Sequence, residues 1–236
     1  MNKGKLYLIP NVIADNTHND VIPTQVRNVL PGIQHFLVED LRTARRYLSS
    51  LKIYQSIESL SFRILNKDTK PEEVQTLFDP IFNGFHMGVI SEAGCPGIAD
   101  PGALAVKFAH NNDVQVIPLV GPSSILLALM ASGLNGQRFA FHGYLPIEAK
   151  EGARVIRDLE KESRQKNQTQ IFIETPYRNN HLKTLLLKNL NNETELCIAI
   201  EITGAQESIL TLQVKEWKNI DKELPKTPAI FLFLSI

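Results

Sequence analysis

The strongest constraint on the fold is an alternation of short apolar runs with helical patterns through the first half of the chain. Apolar runs at residues 5–9, 33–39, 86–90 and 114–120 are predicted to be strands. Such alternation favours parallel βαβ units packed as an open α/β sheet. The segments between and after these runs are predicted to be helices: 24–29, 41–51, 71–84, 103–109 and 125–132.

The second half of the chain follows a different pattern, because several strands succeed one another without long helices between them. We therefore expect an α/β fold built from two α/β domains, residues 1–119 with a mostly parallel sheet and residues 120–236 with a mixed sheet. The predicted strands of the second domain are 139–144, 171–174, 195–201, 208–214 and 229–234, and its predicted helices are 147–166 and 178–190.

Charge and composition exclude several classes of protein. Lys and Arg number 25 and Asp and Glu number 25, so net charge gives no general attraction to nucleic acid and leaves only a local basic patch for that purpose. The two cysteines and six histidines are scattered without metal-ligand spacing, so no metal site is expected. No signal peptide and no apolar run of about 18 residues is present, so we expect a cytoplasmic protein without a membrane partner.

Three unusual loops follow predicted strands of the first domain. They are "PNVIAD" (10–15), "SEAGCPGIADPG" (91–102) and "VGPSS" (120–124). Ligands of parallel α/β sheets bind outside the carboxyl ends of the strands, and glycines allow a close approach of backbone to ligand. The loops therefore predict a binding edge, although each could also be no more than a sturdy turn. The usual nucleotide motifs, G-x-G-x-x-G and G-x-x-x-x-G-K-[ST], are absent.

Five ordered segments carry a resemblance to a known family. "SEAGCPGIADPG", "VIPLVGPSSILLALMASGL" and "RFAFHGYLP" resemble motifs of the tetrapyrrole methylase superfamily. "EDLRTARRYL" and "FIETPYR" are similar to segments of its branch of bacterial 16S ribosomal RNA 2′-O-ribose methyltransferases. The similarity covers nearly the whole chain in the expected order.

The resemblance implies S-adenosylmethionine (SAM) as cofactor, bound in a cleft between the two domains of a chain that forms a homodimer. It places the methionine and ribose beside the long loop and the adenine beside the second domain. The cofactor-binding residues that it implies are Pro10, Glu92, Ala93, Gly94 and Cys95, then Ser123, Ser124 and Ile125, and finally Glu174, Thr227, Pro228 and Ala229.

Methyl transfer from a sulfonium requires alignment of the acceptor and, for a hydroxyl, removal of its proton. Glu39, Asp40 and Arg42 are the catalytic candidates, with the two carboxylates orienting the acceptor or taking its proton. Asp40 also stands where a helix N-cap belongs. Arg42, Arg45 and Arg46 share one helix face, which either grips RNA phosphates or is an ordinary solvated surface.

Three functions stay open at this point. The first is methylation of a ribose 2′-hydroxyl in small-subunit ribosomal RNA, with the RNA or the subunit as partner. The second is methylation of a tetrapyrrole or other small molecule, favoured by the neutral charge and by an end at Ile236 without the C-terminal segment of some ribosomal members. The third is a catalytically inactive SAM-binding protein, favoured by a glycine-free first loop where the family has "T-P-I-G-N-L-x-D".

Overall fold

The structure is a computed structural model and describes residues 3–236. The described chain forms two units, one ending at Ser123 and the other spanning Ser124–Ile236. Each unit has its own sheet and its own hydrophobic clusters.

The first unit is built on a parallel sheet with strand order β3-β2-β4-β1-β5. Helices and apolar side chains cover both faces, which is the usual condition for a parallel sheet. Its strands are β1 (Leu6–Leu8), β2 (His35–Val38), β3 (Ser61–Ile64), β4 (Met87–Ile90) and β5 (Val116–Pro118). Its helices are α1 (His18–Val21), α2 (Thr24–Val29), α3 (Leu41–Ser50), α4 (Val74–Leu77), α5 (Asp79–Phe82) and α6 (Gly102–Asn111).

Two details of the first unit differ from the sequence-based expectation. Strand β3 was not predicted, because it is a half-exposed edge strand of only four residues and lacks a continuous apolar run. The single helix expected over 71–84 was wrong. A 3₁₀ turn at Pro71–Glu73, α4 and α5 replace it, because Pro80 has no N–H to continue an α-helical ladder and instead stands in the first turn of α5.

The second unit has the predicted mixed sheet, with strand order β6-β7-β10-β8-β9. Strands β6 and β7 run parallel, and the other neighbours run antiparallel. The strands are β6 (Phe139–Phe141), β7 (Thr169–Glu174), β8 (Glu195–Ile200), β9 (Ser208–Gln213) and β10 (Ala229–Leu234). The helices are α7 (Ser124–Ser132), α8 (Ala149–Lys166), α9 (Asn179–Asn189) and α10 (Val214–Trp217).

Central strand β10 shows why both faces of this sheet are covered. All six of its residues are buried, and alternate residues belong to two different hydrophobic clusters. Phe231 and Phe233 pack with residues of α8 and α9, whereas Ile230 and Leu232 pack with residues of α7. Over residues 3–236, no helix combines the length and the apolar character that crossing a membrane would require.

Candidate active site

The first and second loops leave neighbouring strands of the parallel sheet and are tied together by one buried asparagine. The backbone N–H of Asn11 donates to the Gly94 carbonyl at 2.8 Å. Its side-chain Nδ2 donates to the carbonyls of Ser91 at 3.1 Å and Glu92 at 3.0 Å. Oδ1 of the same side chain accepts the Val12 N–H at 2.8 Å. A carboxamide therefore holds this glycine-free loop against the long loop.

The third loop is joined to the other two by a thiol and a glycine. Cys95 Sγ lies 3.3 Å from the Pro122 carbonyl oxygen and 3.7 Å from that of Gly121. Burial raises the pKa of the Cys95 thiol, so the group stays protonated and can donate to these oxygens. A Cβ on Gly121 would lie 2.0 Å from Pro10 Cβ, so only glycine allows this approach. The three predicted loops thus meet at one sheet edge.

The long loop is long because it forms a structure of its own around Asp100. The Asp100 carboxylate accepts the backbone N–H groups of Gly97 at 2.9 Å and Gly102 at 2.6 Å. Positive φ angles at Gly94 (68°), Gly97 (86°) and Ala99 (60°) turn the chain along this loop. Burial raises the pKa of Asp100 even though three backbone N–H groups favour its charged form. The loop is therefore an ordered frame rather than a simple connection.

The predicted cofactor residues of the first unit lie on the three joined loops. Pro10 and Gly94 are buried, Cys95 and Ser123 are half-buried, and Glu92 and Ala93 are exposed. The Pro10 carbonyl accepts the Tyr47 hydroxyl at 2.7 Å, which fixes the start of the first loop against α3. The structure therefore leaves Glu92 and Ala93 exposed on firmly held loops.

Glu39 lies beside the long loop, next to the predicted cofactor residues. It follows β2, and the backbone N–H of Glu92 donates to its carboxylate. Burial, followed by the negative charge of Glu92, raises the pKa of Glu39 above its ordinary value. A carboxylate with a raised pKa at a ligand-facing edge is suited to proton transfer.

Asp40 has the predicted capping role. Its Oδ1 accepts the backbone N–H of Thr43 at 2.7 Å, and α3 begins at the next residue. The same hydrogen bond is the main reason that the pKa of Asp40 lies below its ordinary value. Capping accounts for an Asp at this position without any catalytic part.

Substitutions at Asp40 separate capping from catalysis. We expect Asp40→Ala to lower the free energy of unfolding by about 1 kcal/mol, and Asp40→Asn to lower it far less because Asn caps equally well. Urea unfolding measures both values. If Asp40→Asn keeps its stability yet loses most methyl-transfer activity, then the carboxylate charge has a role beyond the cap.

The three arginines of α3 are exposed, as expected for one helix face. Arg46 forms an ion pair with Asp15 at 3.2 Å, and the Arg45 guanidinium carbon lies 5.9 Å from the Phe62 ring centroid. Arg42 contributes to the lowered pKa of Asp40 through its positive charge. Neighbouring groups thus occupy two of the three arginines, although all three remain open to solvent.

In the second unit, predicted cofactor residues gather at one end of the central strands. Glu174 ends β7 and is paired in register with Ala229, the first residue of β10. The Glu174 side chain is fully buried, accepts the Thr175 N–H at 2.7 Å and forms an ion pair with Arg178 at 2.9 Å. Ser124 and Ile125 open α7, elsewhere in this unit, and both are half-buried.

Thr227 stands out in this group because its hydroxyl is buried and has no hydrogen-bond partner in the described part of the chain. The Thr227 carbonyl accepts Asn179 Nδ2 at 2.8 Å, so the segment leading to exposed Pro228 is fixed in place. A buried hydroxyl without a partner costs free energy unless a ligand satisfies it. The segment therefore combines a buried, unpartnered hydroxyl with an exposed neighbour, Pro228.

Sequence reasoning missed the residues that hold the site together. Asn11, Asp100 and Asn179 make long-range or loop-closing hydrogen bonds that no periodicity signals. Asp100 did have a local signal, since an Asp between two glycine-containing turns commonly accepts backbone N–H groups. Within residues 3–236, no three His, Cys, Asp or Glu side chains are placed to hold a metal ion.

Comparison with known proteins identifies the family. No family model matches the chain. The ribosomal RNA small subunit methyltransferase I of Vibrio cholerae is 31% identical over 230 residues, which cover 96% of this chain and 76% of that protein. The chain from Xylella fastidiosa with the same name is 31% identical over 88% of this chain and 71% of that one.

Solved structures agree on the fold. The uroporphyrin-III C-methyltransferase of Thermus thermophilus, complexed with S-adenyl homocysteine, matches with a TM-score of 0.58 and 15% identity over 98% of this chain and 97% of that one. The methyltransferase CobJ matches with a TM-score of 0.64 and 12% identity over 99% and 100%. These likenesses confirm the predicted fold, and the identity to the curated relatives confirms the predicted branch. The chain belongs to the ribosomal RNA small subunit methyltransferase I family and is a methyltransferase with the tetrapyrrole methylase fold.

Proposed function

We propose that this protein transfers the methyl group of SAM to a ribose 2′-hydroxyl of small-subunit ribosomal RNA. Family membership supports the substrate class, because the curated relatives are named for the small ribosomal subunit RNA. One observation carries the proposal for this chain. Asn11 and Cys95 join three loops at one edge of the parallel sheet, and Glu39 lies beside them.

The residues present fit SAM. Glu92 and Ala93 are exposed on the joined loops, and the Glu92 carboxylate can accept hydrogen bonds from an amino group or a ribose hydroxyl. Thr227 stands just before β10 and Ala229 begins it, and this is where we place the adenine of the cofactor. The proposed set of cofactor contacts is completed by Pro10, Gly94, Cys95, Ser123, Ser124, Ile125, Glu174 and Pro228.

Bound SAM supplies an electrophilic methyl group. Glu39 accepts the proton of the acceptor hydroxyl, since its raised pKa gives it more basic strength than an ordinary carboxylate. Arg42, exposed in the first turn of α3, orients the RNA by its phosphate. Asp40 holds the helix start that positions Arg42. Alignment of the acceptor supplies the remainder of the rate enhancement.

The test combines binding and turnover. Calorimetric titration should show micromolar binding of SAM and S-adenosylhomocysteine. Labelled SAM should then methylate small ribosomal subunits that lack this modification. Alkaline hydrolysis distinguishes the acceptor atom, because a 2′-O-methyl group removes the hydroxyl that attacks the adjacent phosphodiester. Labelled dinucleotides after hydrolysis support ribose methylation, and labelled mononucleotides contradict it.

The two alternatives have distinct outcomes in the same assays. Turnover with a tetrapyrrole but not with ribosomal subunits would indicate a small-molecule enzyme. Binding of SAM without turnover on either substrate would indicate a binding protein. Because structures of under 20% identity show the fold alone, the solved tetrapyrrole methyltransferases give the second function no preference over the first.

We further propose that the enzyme is a homodimer and works in the cytoplasm, where small ribosomal subunits are assembled. Sedimentation velocity should give twice the 26.5 kDa mass of one chain. A monomer at micromolar concentration would contradict this assembly.

A further inference from the structure

A cavity of about 370 Å³ lies in the first unit between the first loop and α3. Its size is at the lower end of the range for small-ligand sites, which suits a single nucleotide. Glu92 forms one of its walls, and Glu92 also donates its backbone N–H to Glu39. Glu92 thus connects the cavity to Glu39, the proposed base.

Arg46 is the cation of the cavity lining that a phosphate group can contact. Arg46 lines it and is held by Asp15 at 3.2 Å, but the side chains of this pair are 68% and 72% exposed. Such an exposed ion pair contributes about 0–1 kcal/mol, so a phosphate can replace the Asp15 carboxylate at little cost. With Asp15 and Glu92 both nearby, the cavity is unsuited to a ligand that carries several carboxylates.

Two further side chains of the lining are available to a ligand. The His18 ring and the Asn16 carboxamide have no hydrogen-bond partner in the described part of the chain. Tyr47 forms part of the floor, with its hydroxyl already used by Pro10. A planar ring nitrogen and an amide are the groups that recognise the edge of an unstacked base.

We propose that this cavity binds the RNA nucleotide that is to be methylated, with Arg46 on its phosphate and His18 and Asn16 on its base. This inference rests on the proposed function. It adds the site of the acceptor and the residues that select a nucleotide over other acceptors. It also gives α3 a direct part in RNA binding through Arg46. The sequence alone left open whether this helix face binds RNA or is an ordinary solvated surface.

The test uses the full chain with unmodified small ribosomal subunits. We expect Arg46→Ala to raise KM at least tenfold, with the affinity for S-adenosylhomocysteine unchanged within twofold. The slope of log Kd against log salt concentration should fall by about 0.7–0.9, the value for one lost phosphate contact. Arg46→Lys should keep most of the salt dependence, and Asp15→Asn should bind RNA at least as tightly as the unaltered protein because it frees Arg46.

The matched control is Arg164→Ala, which removes an exposed guanidinium from α8 in the second unit. We expect it to leave KM within twofold. If Arg46→Ala and His18→Ala both retain the original KM and salt slope, the cavity is not the acceptor site. If the unaltered protein methylates no RNA while it binds SAM, the proposed function fails instead, so the two failures are distinguishable.

Discussion

Replacing Gly94 with valine is expected to weaken S-adenosylhomocysteine binding by about two orders of magnitude. Gly94 has a φ of +68°, and a β-branched residue at such an angle costs on the order of 1–3 kcal/mol. Relief of that strain would move the carbonyl that accepts the Asn11 N–H and would detach the first loop from the long loop. Binding must then restore the strained conformation, and each 1.4 kcal/mol that this costs lowers the affinity tenfold.

Calorimetry measures the affinity, and thermal unfolding checks that the variant is folded. Gly32→Ala is the matched control, because Gly32 has open space where a Cβ would stand and no positive φ. We expect that control to bind with unchanged affinity. Tight binding by Gly94→Val would show that the long loop does not hold the cofactor.

If Glu39 is the general base proposed above, replacing it with glutamine should reduce kcat by about 10²–10⁴-fold. The same substitution should make the protein more stable at neutral pH. Burial raises the pKa of Glu39 in the folded protein above its ordinary value of 4.5, so ionisation of this carboxyl opposes folding. Glutamine has the same shape and no charge to bury.

The pH dependence of the stability of Glu39→Gln shows whether the gain comes from removing a charge or from a general change in packing. Below pH 4.5, Glu39 is protonated in both folded and unfolded chains, so the variant and the original should have similar stability. As pH rises through the raised folded pKa, the original loses stability and the glutamine variant does not, so the gap should open there. The kcat of the original enzyme should rise with pH over that same interval, and the kcat of the glutamine variant should not.

Urea unfolding at several pH values and single-turnover methylation provide the two measurements. An equal stability difference at all pH values would show that ionisation of Glu39 is not its cause. A variant that keeps the original kcat but has a raised KM would make Glu39 an orienting group and would leave proton removal to solvent.

The parts of the fold that the sequence could predict are those built from regular patterns. The strands near Leu6–Leu8 and Met87–Ile90 are continuous apolar runs because helices cover both faces of their sheet. The Asp40 cap was predictable because its hydrogen bond spans only three residues. By contrast, β3 is recognised only through its neighbour β2. The break at Pro80 did have a local signal, because proline lacks the N–H that a continuous helix would need.

For the candidate site, sequence patterns could predict the loops but not the bonds between them. Glycines and prolines in 91–102 marked an unusual connection, and parallel strands predicted that it would meet the other two loops. Asn11 was counted only as part of a glycine-free loop, because its partners lie about 80 residues away. The Asn11 side chain donates to two backbone carbonyls of the long loop, so a side chain rather than a glycine secures the first loop.

The strand order of the first sheet has a consequence for biosynthesis. Strand β1 lies between β4 and β5, so its residues have no strand neighbour until Met87–Ile90 have been synthesised. At about 5–20 residues per second, translation of the intervening chain takes on the order of ten seconds. During that time an apolar strand with two unpaired edges is attached to the ribosome. We therefore expect the nascent chain to be a chaperone client before it folds.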